Sequence, residues 1–181
     1  MKSSSSKLIV AFSCALLGAS PFIAFAKSAS VAVGSLRAKS FDADPVVMLP
    51  GNPFYGIVGT FDIVKESVSG DKLATRTAII NRYAARLVRT FEINAKDERL
   101  VLRALKDYQG AAYQYALTVT RLDDEAFSEE IVSQVSMTLA THLRLVDEAI
   151  EWKPLTNAHK AILSDINERL TSATVSVLEE R

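Results

Sequence analysis

His142 and His159 are the residues of this 181-residue chain best suited to hold a metal, with Asp147, Asp165 or Met137 able to complete a ligand set if the segments carrying them pair closely. They match no ligand motif, however. His142 lies between Leu139 and Val146 on an apolar stripe, where a hydrogen-bonded core histidine explains it more simply. A second group is Arg82, Arg86 and Arg89, at i, i+4 and i+7, which would share a helix face able to meet an anionic lipid, polymer or protein partner. Charge is segregated around them: residues 71–106 carry nine basic residues against four acids, and residues 107–151 carry nine acids against Arg121 and Arg144. Solvated faces of adjacent helices that complement one another would give the same pattern. The chain has no Gly-x-Ser-x-Gly elbow, no His-Glu-x-x-His and no glycine-rich phosphate loop. It is expected not to be an enzyme and to use neither a cofactor nor a metal.

The first 26 residues decide where these groups act. Lys2 and Lys7 form a positive start, Leu8 to Ala19 an apolar stretch of signal-peptide length, and Ala24-Phe25-Ala26 a small-x-small cleavage site before Lys27. The segment reads as a secretory signal peptide cleaved after Ala26, which places the mature chain outside the cytoplasm, in the periplasm or secreted. Two alternatives stay open: residues 8–26 as an uncleaved membrane anchor, and Cys14 as a lipidated N-terminus. Only these would bring the chain to a membrane. Cys14 is the sole cysteine, so the mature chain has neither disulfides nor a thiol nucleophile. Losing Lys2 and Lys7 leaves 19 basic against 21 acidic residues, a balance that argues against nucleic-acid binding.

Residues 27–48 are Ser/Ala/Val-rich without a sustained period and read as a flexible arm. The helical domain is expected over residues 49–181. In Leu49-Pro50-Gly51-Asn52-Pro53-Phe54-Tyr55, Asn52 can accept from an early helical N–H, and Pro53 suits a first helical position. Phe54, Ile57, Val58, Phe61 and Val64 or Val68 then follow at helical spacing to a stop at Ser69-Gly70, with the Tyr55 ring pinning the helix to the bundle and its hydroxyl left wet. A second helix runs from Asp71 to near Asn94 with Leu73, Ile80, Tyr83, Ala84, Leu87 and Phe91 on one stripe. Asn94 with Asp97 resembles a capping box for the third.

In that third helix, Val101, Leu105, Tyr108, Ala112, Tyr115, Val119 and Leu122 alternate spacings of four and three, a coiled-coil-like seam that could serve within the chain or between chains. Asp123-Asp124-Glu125 are expected at the N-terminus of a fourth helix with Val132, Val135, Leu139, His142, Val146 and Ala149 inward, closed by Trp152-Lys153-Pro154. Thr156 can cap a fifth, buried through Ile162, Ile166, Leu170, Ala173 and Val177. Helices two to four should run about 23 to 28 residues, roughly 35–40 Å. The fold class is therefore all-α, an elongated antiparallel bundle of about five helices after a signal peptide and arm.

Leu49-Pro50-Gly51-Asn52-Pro53-Phe54-Tyr55 resembles the Leu-Pro-x-Ser-Pro-(Leu/Phe)-Tyr opening of a bacterial family of exported helical domains of unknown function. The resemblance continues through Arg82-Tyr83-Ala84-Ala85-Arg86-Leu87, Leu105-Lys106-Asp107-Tyr108-Gln109-Gly110-Ala111, and His142-Leu143-Arg144-Leu145-Val146-Asp147-Glu148 with the helix after Pro154. Val58 stands where the family usually has lysine, and Asn52 replaces its serine while keeping a capping oxygen. The resemblance implies an exported helical fold and assigns no catalytic or binding residue.

The expected role is an exported non-enzymatic interaction or scaffold domain that binds an unidentified protein or envelope component through a helical face, with homo-oligomers as a further option. The alternative is an extracytoplasmic sensor or chaperone for metal or misfolded protein, which requires His142 or His159 exposed near carboxylates.

Overall fold

The computed structural model describes residues 48–122, 128–152 and 155–179. The segment expected to be a signal peptide, nearly all of the expected arm, and the Asp123-Asp124-Glu125 and Lys153-Pro154 features lie outside the described residues. Five α-helices form the described part: α1 (Tyr55–Val68), α2 (Lys72–Asn94), α3 (Glu98–Val119), α4 (Glu129–Ile150) and α5 (Asn157–Glu179). No strand occurs among these residues, and the fold is an all-α bundle.

Local chemistry sets each helix start, in three cases differently from the sequence expectation. Asn52 Oδ1 accepts from Phe54 N–H at 2.8 Å, but this bond closes a turn; Pro53 lies in that turn and α1 begins at Tyr55. Gly51 makes the turn with a φ of 101°, a conformation that glycine adopts without a Cβ penalty. Asp71 caps α2 by accepting from Ala74 N–H at 2.9 Å. Asn94 is the last residue of α2, and the cap of α3 is Asp97 itself, which accepts from Arg99 and Leu100 N–H. Only Ala95 and Lys96 separate that cap from α2. Ser128 caps α4 by accepting from Ile131 N–H, so the acids placed to favour the helix dipole are Glu129 and Glu130. At α5 the Thr156 hydroxyl accepts from His159 N–H while His159 Nδ1 accepts from Thr156 N–H, a capping box with histidine in the place usually held by Glu or Gln.

The core follows the predicted stripes of α2 to α5. Ile80, Leu87 and Phe91 from α2 meet Val101, Leu105, Tyr108 and Tyr115 from α3, Val135 and Leu139 from α4, and Leu163, Ile166 and Leu170 from α5. The α3 seam is thus used within the chain; its last expected member, Leu122, lies beyond the helix and is half-buried. Helices α2, α3 and α4 span 23, 22 and 22 residues, so α3 and α4 fall just short of the expected range, and α5 spans 23.

Contacts fix the directions. Gln109 donates to Asp165 at 2.7 Å and Arg169 lies 4.7 Å over the Tyr113 ring, four residues further on in both helices, so α3 and α5 are parallel neighbours. Asn81 on α2 meets His142 on α4 at 2.9 Å, and Phe91 on α2 meets Trp152, two residues past the end of α4, with ring centroids 4.2 Å apart, again a parallel relation. The pairs α2 with α3 and α4 with α5, each joined in sequence by a short connection, pack against one another.

Candidate interaction surface

Helix α1 is seated on α2 and α3 by its polar side. At its N-terminus the Tyr55 ring is buried, with the Arg103 guanidinium 5.0 Å and the Arg86 guanidinium 5.8 Å from the ring centroid. Its hydroxyl is not left in water: it donates to Asp107 Oδ2 at 2.7 Å. Burial, and then the Asp107 bond, push this phenol well above the ordinary tyrosine range. One helical repeat on, Asp62 is buried and ion-paired with Arg82, while its second oxygen stands 3.9 Å from Arg86 Nη1. Neither of those two atoms makes a hydrogen bond. Arg86 also lies 4.9 Å over the Tyr83 ring, whose phenol is pushed up by burial and by the Asp62 charge. Glu66 completes the row through Arg76, which also reaches Gln114 on α3 at 3.1 Å. The pairs Tyr55 with Arg86, Asp62 with Arg82 and Glu66 with Arg76 run α1 antiparallel to α2.

With Tyr55, Asp62 and Glu66 turned inward, the apolar stripe of α1 must face out. Phe54, the residue just before α1, is 59% exposed, Ile57 50%, Phe61 69%, Val64 53% and Val68 78%. This corrects the sequence expectation that these residues would pack on the bundle; of that set only Val58 is half-buried. The usual arrangement of an amphipathic helix is inverted here. The five side chains expose on the order of 500 Å² of contiguous apolar surface, in the range where such patches mark interaction sites.

The basic triad has a different position from the one expected of an interaction face. Arg82 is half-buried and paired with Asp62, Arg86 is buried beneath α1 between Tyr55 and Tyr83, and only Arg89 is exposed, where it pairs with Glu92 at 2.7 Å. The three therefore do not present one free cationic surface. Most of the charge they supply holds α1 in place.

Both histidines are in the interior, so the exposure that the metal-sensor reading requires is not met. His142 Nδ1 is 2.9 Å from the Tyr108 hydroxyl and its Nε2 is 2.9 Å from Asn81 Oδ1, tying α4 to α3 and α2. Burial lowers His142 to about 3, so it is neutral at neutral pH. His159 serves the α5 cap. Of the carboxylates considered as co-ligands, Asp165 is engaged by Gln109 and Arg169, and Asp147 accepts from Asn167 at 3.0 Å. No group of three potential metal-ligating side chains occurs among the described residues. A groove of about 720 Å³ opens near the C-terminus of α1, lined among others by Glu66, Lys72, Arg76 and Leu117, but its Glu66 and Arg76 are already paired.

Sequence periodicity located the stripe of α1 but not its direction. The signal that could have found the direction is the acid pair Asp62 and Glu66, spaced i, i+4 on a short helix that precedes a helix rich in arginine. No family model, no curated protein and no solved structure matches this chain.

Proposed function

We propose that this chain is an exported, non-enzymatic helical domain that works by docking a protein or envelope component on the outward face of α1. The observation that carries the reading is the inverted helix: an apolar stripe is left in water while the inner side of the same helix is fixed by Tyr55, Asp62 and Glu66. Leaving five large apolar side chains exposed costs solubility, and burial against a partner would remove that cost. The arrangement of the titratable groups supports a non-enzymatic role, since Tyr55, Asp62, Arg86, Tyr108 and His142 are engaged in joining helices. Export is supported by Lys2, Lys7, the apolar stretch that follows and the Ala24-Phe25-Ala26 site, together with the resemblance of residues 49–55 to the opening of an exported family.

The test is to isolate the chain from the envelope of the cell that makes it and to measure its intact mass, its fractionation and the proteins crosslinked to it. A soluble chain beginning at Lys27 and crosslinked to a specific protein is the expected result. A full-length chain confined to the cytoplasm would refute export, and an exported chain crosslinked only through helices other than α1 would refute the docking face.

A further inference from the structure

The stripe on α1 has the geometry of a helix-pairing seam. Phe54, Ile57, Phe61, Val64 and Val68 are separated by three, four, three and four residues, the a and d positions of two successive heptads. The positions that flank such a seam hold Thr60 and Ser67 on one side and Val58 and Lys65 on the other, so a single charge borders it. We propose that this stripe pairs with the same stripe of a second copy of the chain, making a two-fold helix–helix dimer. The inference rests on the reading of α1 as a docking face and names its occupant.

Three observations favour a second copy over other occupants. A seam of this spacing accepts knobs from a helix of the same period, and residues 27–48, the chain segment that leads into α1, carry no helical period and contain Gly34 and Pro45. An anionic membrane surface calls for basic residues beside the apolar face, whereas here Lys65 stands alone and the arginines lie behind the helix, paired with its acids. Area agrees as well. Two such faces together would bury on the order of 1,000 Å², the lower bound for a specific interface, which suits a dimer that dissociates at micromolar concentrations. A two-heptad helix would not pair in isolation, but this one is already held on the bundle through Tyr55, Asp62 and Glu66, so pairing does not have to supply its folding. The seam that sequence periodicity suggested for pairing between chains, Val101 to Leu122, is by contrast spent inside the bundle.

The experiment is sedimentation equilibrium of the purified chain, in the form isolated from its cell, from about 1 to 100 μM, range chosen around a micromolar dissociation constant. The expected result is a reversible monomer–dimer equilibrium that Phe61→Glu weakens at least ~50-fold and Val68→Lys also weakens, since a charge would be buried at the seam. Both residues are exposed in the single chain, so neither substitution disturbs the core, and circular dichroism should be unchanged. Met137→Glu, exposed on α4, should leave the dimer intact. A chain that stays monomeric throughout overturns the proposal, as does a dimer indifferent to both α1 substitutions. A monomer that instead binds vesicles of phosphatidylcholine and phosphatidylglycerol overturns it in favour of a membrane. Should the chain be monomeric while position 61 crosslinks to a different protein in the cell, self-pairing falls and the docking reading stands.

Discussion

Asp62→Ala should free α1 without unfolding the rest of the bundle. The carboxylate is buried, paired with Arg82 and facing Arg86, whose side chain is itself buried against the Tyr55 and Tyr83 rings. Removing one partner of a buried pair typically costs about 3–5 kcal/mol, because the other charge is left without compensation. Two features reduce that figure here. Arg82 is only half-buried and can turn to water, and Asp62 Oδ2 and Arg86 Nη1 are too far apart to hydrogen-bond. We therefore expect about 2 kcal/mol, equivalent to a roughly 30-fold rise in the population with α1 detached. Native-state hydrogen exchange resolves this directly. Amides of Val64 to Val68, in the last turn of α1, should lose protection by about that factor, while those of Leu105 and Ile166, deep in the core, should change by less than about threefold. Equal losses in α1 and the core would refute the claim that α1 is a separately seated element. Unchanged exchange in α1 would refute the clasp.

Stability should fall as pH drops below about 6.5. His142 is held neutral in the folded bundle down to about 3, whereas the unfolded chain takes up that proton near the ordinary histidine value, so acid favours unfolding across this window at up to about 1.4 kcal/mol per pH unit. Denaturant titrations of wild type and His142→Gln between pH 7 and 4 should show the slope removed in the variant; parallel curves would contradict it. Asp165 contributes in a lower window: hydrogen bonds from Arg169 and Gln109 depress it, so its contribution is present above the ordinary carboxylate value and is lost as pH falls through its folded value. Gly51→Ala should cost about 1–2 kcal/mol and lower the melting temperature by about 4 °C, because φ is 101° and the new Cβ would sit 3.3 Å from Leu100 Cδ2. An unchanged melting temperature would show that the turn relaxes.

The legible part of the fold was the part where an apolar stripe had one place to go. In α4, Val132, Val135, Leu139, His142, Val146 and Ala149 are all buried as their spacing predicts, and in α5 Ile166, Leu170, Ala173 and Val177 are buried while the first member of the expected stripe, Ile162, is half-buried. Helix boundaries were legible where a cap was unambiguous, as at Asp71, and shifted where two candidates competed, as at Asn94 and Asp97. Periodicity failed at α1 because it measures the difference between two faces of a helix and not which face meets the bundle. There the decision belongs to a buried carboxylate and a phenol, Asp62 and Tyr55, matched to Arg82 and Asp107 that lie 20 and 52 residues away in sequence. Locally, pairing of this kind shows only as the acid pair Asp62 and Glu66, whose spacing does not say which distant partners it meets. The same fact explains the arginine triad: Arg82 and Arg86 read as a free cationic face only while Asp62 is out of view.

If α1 docks a partner, its outward face is where this chain is engaged in the cell. A benzophenone amino acid placed in turn at positions 61, 93 and 137 compares that face with two other exposed apolar sites, Ile93 on α2 and Met137 on α4. After irradiation of intact cells, a discrete crosslinked species is expected at position 61 and only background at positions 93 and 137. Equal crosslinking at all three positions, or a discrete product at 137 and none at 61, would contradict it.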